Sequence, residues 1–296
     1  MKLCTTIITA AVLLAAGPAV QAVTPGQVDN FQTPGVADWA TGFSATATHI
    51  PDGGPGGDGD GYLELKRDSF AFHLTTKNTS QWTGDYSTAN VSALGIDLNP
   101  IFVPVGAENP GGILGIRLVI LGPGGAFTST NPTILTPGWN NYVFEFADMM
   151  FLPGSGNDWP GGGTLVLDDT LAAVSRVLIR NDPDAIPTDI GDHPPHILAT
   201  LGIDDVRALP EGDVNADGFV GADDLVGVLT FWGQNTTTRQ QGELTGDSFV
   251  GSDDYVEVLT NWGSGTLAEP VPEPTTLSVL LLTGVFLLRH PSSSRK

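Results

Sequence analysis

Cysteine, basic side chains and long apolar runs are all scarce in this chain of 296 residues, and each shortage excludes something. The one cysteine, Cys4, lies within residues 1–22, which read MKLCTTIITAAVLLAAGPAVQA. Lys2 supplies a positive start, Thr6 to Ala16 an apolar stretch, and Val20-Gln21-Ala22 an ending before a cleavage point. That is the layout of a secretory signal peptide. Cleavage after Ala22 would leave a mature chain with no disulfide and no thiol chemistry. Only 12 Lys and Arg stand against 33 Asp and Glu. Between residues 23 and 274, eight basic residues face all 33 acids, a net charge of −25. Such a surface repels phosphate backbones, which excludes nucleic acid as a partner and favours divalent cations. Glycine and proline are plentiful instead, at 38 and 22 positions. Their share is about a fifth of the chain against roughly 12% in ordinary proteins, so a coiled coil or large helical bundle is excluded. With 41% hydrophobic and 15% charged residues the chain can still build a core.

The last residues, 267–296, form a linker and an apolar tail. Leu277 to Leu288 is a twelve-residue run closed by Arg289 and a basic end. A permanent transmembrane helix needs about 20 apolar residues, so this run suits a transient stop held by its positive flank. Pro272-Glu273-Pro274, a short span and Arg289 resemble a PEP-CTERM sorting signal. The resemblance implies an exosortase-type processing machinery as partner, transient membrane association, and delivery to the envelope or matrix of a Gram-negative bacterium.

Residues 212–233 and 242–263 align without a gap, thirty apart, with 13 of 22 positions identical. In the first copy Asp213, Asn215 and Asp217 alternate, Gly218 follows, and Asp224 closes a twelve-residue loop. Alternate residues of a tight turn point inward, so three side-chain oxygens converge; the Phe219 carbonyl and the Asp224 carboxylate complete an oxygen shell suited to Ca2+. The second copy has Glu243, Thr245, Asp247, Phe249 and Asp254 at these places, with Ser248 where glycine is expected. A longer carboxylate, a neutral hydroxyl and a non-glycine bend should each weaken that loop. A short helix should follow each loop. Leu225, Val228, Leu229 and Trp232, and likewise Tyr255, Val258, Leu259 and Trp262, repeat at helical spacing and should be buried face to face. This duplicated unit, residues 210–266, resembles a type I dockerin. Loop positions ten and eleven, which help such modules choose a cohesin, hold Ala222-Asp223 and Ser252-Asp253 rather than a hydroxyl pair.

Residues 23–209 read as a mainly β domain. Short runs such as Tyr62–Lys66, Ala93–Leu98, Ile113–Leu121, Asn141–Phe146, Val174–Arg180 and Leu201–Leu209 are bracketed by Gly-Pro, Pro-Gly and Asn-Pro pairs. Only Asp169 to Ser175 hints at a helical turn. Val28-Asp29-Asn30-Phe31, the glycine-rich Gly53–Gly61, Gly138-Trp139-Asn140-Asn141-Tyr142 and Gly202-Ile203-Asp204-Asp205-Val206 resemble jelly-roll, carbohydrate-binding modules. The resemblance implies a structural calcium where first and last strands meet, at Asp29 and Asp204; Asp52, Asp58 and Asp60 invite the same thought. Sugar binding needs exposed flat rings, for which Trp82, Tyr86 and Trp159 are the candidates, with Trp39 and Trp139 assigned to the core. No Gly-x-Ser-x-Gly elbow, His-Glu-x-x-His pair or phosphate loop occurs, and His193-Pro194-Pro195-His196 reads as a rigid turn. The expectation is a secreted or cell-surface calcium-binding protein without catalysis, its jelly roll binding polysaccharide or a surface protein. The alternative is a glycoside hydrolase or accessory component carrying a dockerin module.

Overall fold

Most of the turn-bracketed runs become strands. The first five are β1 (Val28–Asp29), β2 (Ala40–Thr41), β3 (Thr46–Ile50), β4 (Tyr62–Arg67) and β5 (Thr75–Asn78). Next come β6 (Val91–Phe102), β7 (Gly115–Gly122), β8 (Gly125–Ser129), β9 (Thr133–Ile134), β10 (Asn140–Glu145) and β11 (Met149–Phe151). The helical turn foreseen near residue 170 is α1 (Leu167–Leu171), followed by β12 (Arg176–Asn181) and β13 (Ala199–Pro210). Two further helices, α2 (Ala222–Thr230) and α3 (Ser252–Thr260), lie thirty residues apart. The computed structural model describes residues 22–41, 45–68, 73–106, 109, 111–154, 164–187 and 197–266. The expected signal segment up to residue 21, Trp159, His193, His196 and the expected sorting residues Pro272, Glu273, Pro274 and Arg289 lie outside them. The described residues up to Thr266 group as one compact unit. Among the described residues, no helix is long and apolar enough to cross a membrane.

The strands form two antiparallel sheets. One runs β10-β6-β13-β4-β3 with β1 on β13, the other β11-β8-β7-β12-β5-β2 with β9 on β7. Between them, Leu63, Leu65, Leu94, Ile96, Leu98, Ile116, Leu118, Ile120, Val177, Ile179, Leu201 and Ile203 make the core, each from alternate strand positions. Trp39 and Trp82 fill its end, ring centroids 6.5 Å apart. The chain is therefore a mainly β sandwich, with its long strands β6 and β13 at the centre of one sheet.

Strand β13 slips register against β6 between Asp204 and Arg207. Asp205 absorbs the extra residue with φ of +42°. The slip lets Ile203 and Val206 both enter the core, while Asp204, Arg207 and Leu209 face outward. At one end of this outer face Ala93 and Leu209 meet Ala216 of the first acidic loop. At the other end the face stays polar. These two ends are the regions where function can be sought.

Candidate functional site

The duplicated loops are near copies in geometry as well as sequence. Gly221 and Gly251 precede the helices with almost equal backbone angles, φ −147° and −148°. Asp224 Oδ1 accepts the Val214 N–H at 2.7 Å and its Oδ2 the Gly221 N–H at 2.7 Å. Asp254 does the same with Leu244 (2.7 Å) and Gly251 (2.8 Å). Each closing carboxylate thus ties its loop to the first turn of its helix, whose unpaired N–H groups favour negative charge.

At position one the copies part. Asp213 is fully buried; its Oδ2 accepts the Gly218 N–H at 2.8 Å, and its Oδ1 has no hydrogen-bond partner. Burial, with Asp224 and Asp217 nearby, pushes its carboxyl up to about 7. A buried, unpartnered carboxylate oxygen is costly in a protein interior. Around it Asn215 Oδ1 accepts the Asp217 N–H and Asp217 Oδ1 the Phe219 N–H, at 3.0 and 2.9 Å. Gly218 makes the bend at φ +89°. In the second loop Glu243 Oε1 accepts N–H groups from Thr245 at 3.0 Å and Gly246 at 2.6 Å, and the Thr245 hydroxyl at 3.3 Å. The longer side chain folds back on its own loop and consumes its oxygen. Asp247 Oδ1 still holds the Phe249 N–H at 2.8 Å. Ser248 makes the bend at φ +67°, a left-handed conformation that costs a non-glycine residue about 1–2 kcal/mol. Ser248→Gly should therefore stabilise the protein by about 1 kcal/mol in a denaturant titration; an unchanged or lower midpoint would contradict this. Among the described residues, no three His, Cys, Asp or Glu side chains are gathered as a metal group. That holds for Asp213, Asp217 and Asp224 of loop one as well.

The helices bury less than their apolar spacing suggested. Val228 and Val258 are buried with Val214, Val220 and Val250, while Leu225 and Tyr255 pack at the margin. Leu229, Trp232, Leu259 and Trp262 are about half exposed, at 56, 48, 47 and 50%. The stripes are therefore not wholly buried face to face. The loop valines Val214, Val220 and Val250 take the interior that the i+4 and i+7 residues would have filled. Each loop instead pairs with the segment after the other helix: Phe219 bridges Gly265, and Phe249 bridges Asn235.

The proposed pairing of Asp29 with Asp204 is not formed. The Asp29 carboxylate accepts the indole N–H groups of Trp39 (2.8 Å) and Trp82 (2.6 Å) and the Gln81 amide (3.1 Å). It faces the core, while Asp204 alternates with Ile203 and faces away. Asp204 has Asp60 for a neighbour instead. A Cβ built on Gly54 would lie 2.6 Å from Asp60 Oδ2 and 3.1 Å from Asp204 Oδ2. Burial, with Asp205, Asp60 and Asp97 around it, pushes the Asp204 carboxyl up to about 8.

Two of the three aromatic candidates are core residues. Trp82 and Tyr86 are fully buried; the Tyr86 hydroxyl donates to the Trp82 carbonyl at 3.1 Å, and its ring meets Phe146 edge-on at 5.5 Å. Their polar sequence surroundings hid this, because the residues that cover them are distant in the chain. Trp139, assigned to the core, sits instead on the outer face of the β13 sheet and is partly exposed. Its Nε1 donates to the Gly53 carbonyl (2.9 Å), its ring meets Tyr62 edge-on at 5.3 Å, and it rests on Gly202. A Cβ at Gly202 would come within 2.6 Å of the indole, so glycine is what lets the ring lie on the strand. Asp97, Asn141, Glu64 and Asn99 are also outward-facing on this sheet; Asn141 donates to Asp97 at 2.8 Å.

No protein-family model and no curated protein matches the chain. Among solved structures it is similar to a family 11 carbohydrate-binding module from Clostridium thermocellum in complex with a β-1,3-1,4-mixed-linked tetrasaccharide. The identity is 14%, covering 62% of this chain and 93% of that one, with a TM-score of 0.39. It is also similar to the CBM22-1 xylan-binding domain of a Paenibacillus barcinonensis protein, at 8% identity, 62% and 95% coverage, and a TM-score of 0.36. The CBM22-1 and GH10 modules of a Clostridium thermocellum endo-1,4-β-D-xylanase match at 9% identity, 71% and 35% coverage, and a TM-score of 0.38.

Proposed function

We propose that the chain is a secreted, non-catalytic bacterial protein that binds calcium through its dockerin-like duplicated unit and polysaccharide on its sandwich. The buried Asp213 Oδ1, which has no partner, carries the reading. Asp224 and Asp217 lie close enough to act on its charge, Asn215 stands in the same loop, and a hard divalent cation is the group that oxygen side chains of this kind accommodate. The first loop would hold calcium through these four side chains and the Phe219 carbonyl. The second would bind more weakly, since Glu243 is already engaged. Asp60 and Asp204 form a further candidate for a cation, replacing the pair first considered. Calorimetric titration of the purified chain with calcium chloride should give one strong site; a flat titration would overturn the reading.

For polysaccharide, Trp139 offers a ring fixed at its N–H and on one face, beside Asp97, Asn141 and Glu64 as hydrogen-bonding groups. Trp139→Ala should abolish retardation of the protein in gels containing its preferred plant or algal glycan, while the melting temperature moves little. Retention of binding would remove Trp139 from the site, and release of reducing ends would favour a hydrolase instead. Sorting to the cell surface rests on the sequence of both ends. Intact mass from the native host should lack residues 1–22 and most of 275–296, and a full-length product would refute this.

A further inference from the structure

We propose that the first acidic loop is a latch on the sandwich, so that calcium bound there also stabilises the edge of the β13 sheet. The proposal rests on the calcium reading above and goes beyond it, because a separately folding calcium module would have no such effect. Arg239, in the segment between the repeats, carries the argument. It is 8% exposed although it lies in a connecting segment. Its guanidinium grips both carboxylate oxygens of Glu145 in β10, Nε to Oε1 at 2.6 Å and Nη2 to Oε2 at 2.8 Å. Nη2 also donates to Ser92 Oγ of β6 at 2.8 Å. From the same group, Nη1 donates to the carbonyls of Asp213 (2.9 Å) and Pro210 (3.3 Å).

One planar group therefore joins the residue at loop position one to two neighbouring sandwich strands. Bidentate pairing of this kind fixes orientation as well as distance. Arg207 of β13 adds a bond to the Ala216 carbonyl of the same loop at 3.1 Å. Asn90 donates to Asn261 at 2.6 Å across the same junction. Loop one cannot change its main-chain course without disturbing Arg239, and Arg239 cannot move without releasing β6 and β10. Ordering the loop with a cation must then order those strands. By reciprocity the intact junction raises the loop's affinity for the cation.

Hydrogen exchange on the purified full chain, with and without calcium chloride, tests the latch. Calcium should slow exchange by about tenfold or more in residues 91–102 and 140–145 as well as in 211–266. Arg239→Met should confine that protection to 211–266, while calorimetry shows calcium uptake weakened by no more than about tenfold. Glu145→Gln, which keeps an acceptor in place, should give an intermediate pattern and guards against a simple folding failure of the first variant. Calcium uptake with protection confined to 211–266 in the unaltered protein would overturn the latch alone. Sandwich protection that persists in both variants would overturn it too. Absence of calcium uptake would overturn both the latch and the calcium reading.

Discussion

Asp213→Asn should raise the melting temperature of the calcium-free protein and lower that of the calcium-saturated protein. The sign reverses because one oxygen has two opposite roles. Without a cation, Asp213 Oδ1 is buried and unpartnered beside Asp224 and Asp217, so its charge opposes folding. Its folded-state carboxyl, at about 7, lies above the ordinary 3.8. The folded state therefore holds the proton more tightly, and calcium-free stability should fall as pH rises from about 4 to 7. Binding demands the ionised form, so calcium affinity should weaken as pH falls below about 7. At calcium a hundred times the dissociation constant, binding adds about 2.7 kcal/mol, most of which the variant forfeits. Glu243→Gln should change both states much less, since Oε1 of Glu243 is held by its own loop. Differential scanning calorimetry with chelator and with calcium reads both effects. A shift of the same sign in both conditions, or a larger effect from the second loop, would contradict these roles.

Asp29→Ala should be among the most destabilising single changes in the sandwich, at about 3–5 kcal/mol. It strands two fully buried indole N–H groups, Trp39 Nε1 and Trp82 Nε1, while the Gln81 amide keeps its bond to the Ala37 carbonyl at 2.6 Å. Each stranded buried donor costs about 1–3 kcal/mol. Asp29→Asn keeps an acceptor oxygen, and since all three donors meet the single oxygen Oδ2 it should cost well under half as much. Urea unfolding followed by tryptophan fluorescence would measure both. A loss below about 1 kcal/mol for the alanine variant would mean that water reaches the indoles.

The strands were legible because their signal is local. Tyr62–Arg67, Arg176–Asn181 and Ala199–Pro210 are apolar stretches between turn formers, and neighbouring residues suffice to see them. The acidic loops were legible for the same reason, since twelve consecutive residues make each one. What sequence could not show was long-range. Trp82 and Tyr86 stand in a polar stretch yet are covered by residues far along the chain. Asp29 resembled a cation ligand, but its partners Gln81 and Trp82 lie more than fifty positions away. Arg239 is the one basic residue in 210–266, and its use depends on Glu145, 94 residues earlier. Trp139 was misplaced because β10 could have turned either face inward, and only Gly202 across the sheet shows where the ring fits. The helix residues Leu229 and Trp232 had helical spacing, but nothing nearby revealed that loop valines would occupy the interior first.

The two ends of the described fold also meet at the first loop. The Thr266 hydroxyl donates to the Gly26 carbonyl at 2.6 Å and its N–H to Gly218 at 3.1 Å, while the Gly26 N–H donates to Ala208 at 2.8 Å. Ends so close together put a mechanical load on a few bonds in succession rather than on whole sheets at once. Tension between residues 22 and 266 would load the Val23 N–H bond to the Thr83 carbonyl (3.0 Å) and this clasp first, before β1 peels from β13. The sheets behind it would carry almost none of the pull until then. Rupture of that kind follows the rate of local opening, not the overall stability of the sandwich. Under load, the lifetime of the fold is set by a handful of bonds beside Gly218 and Thr83.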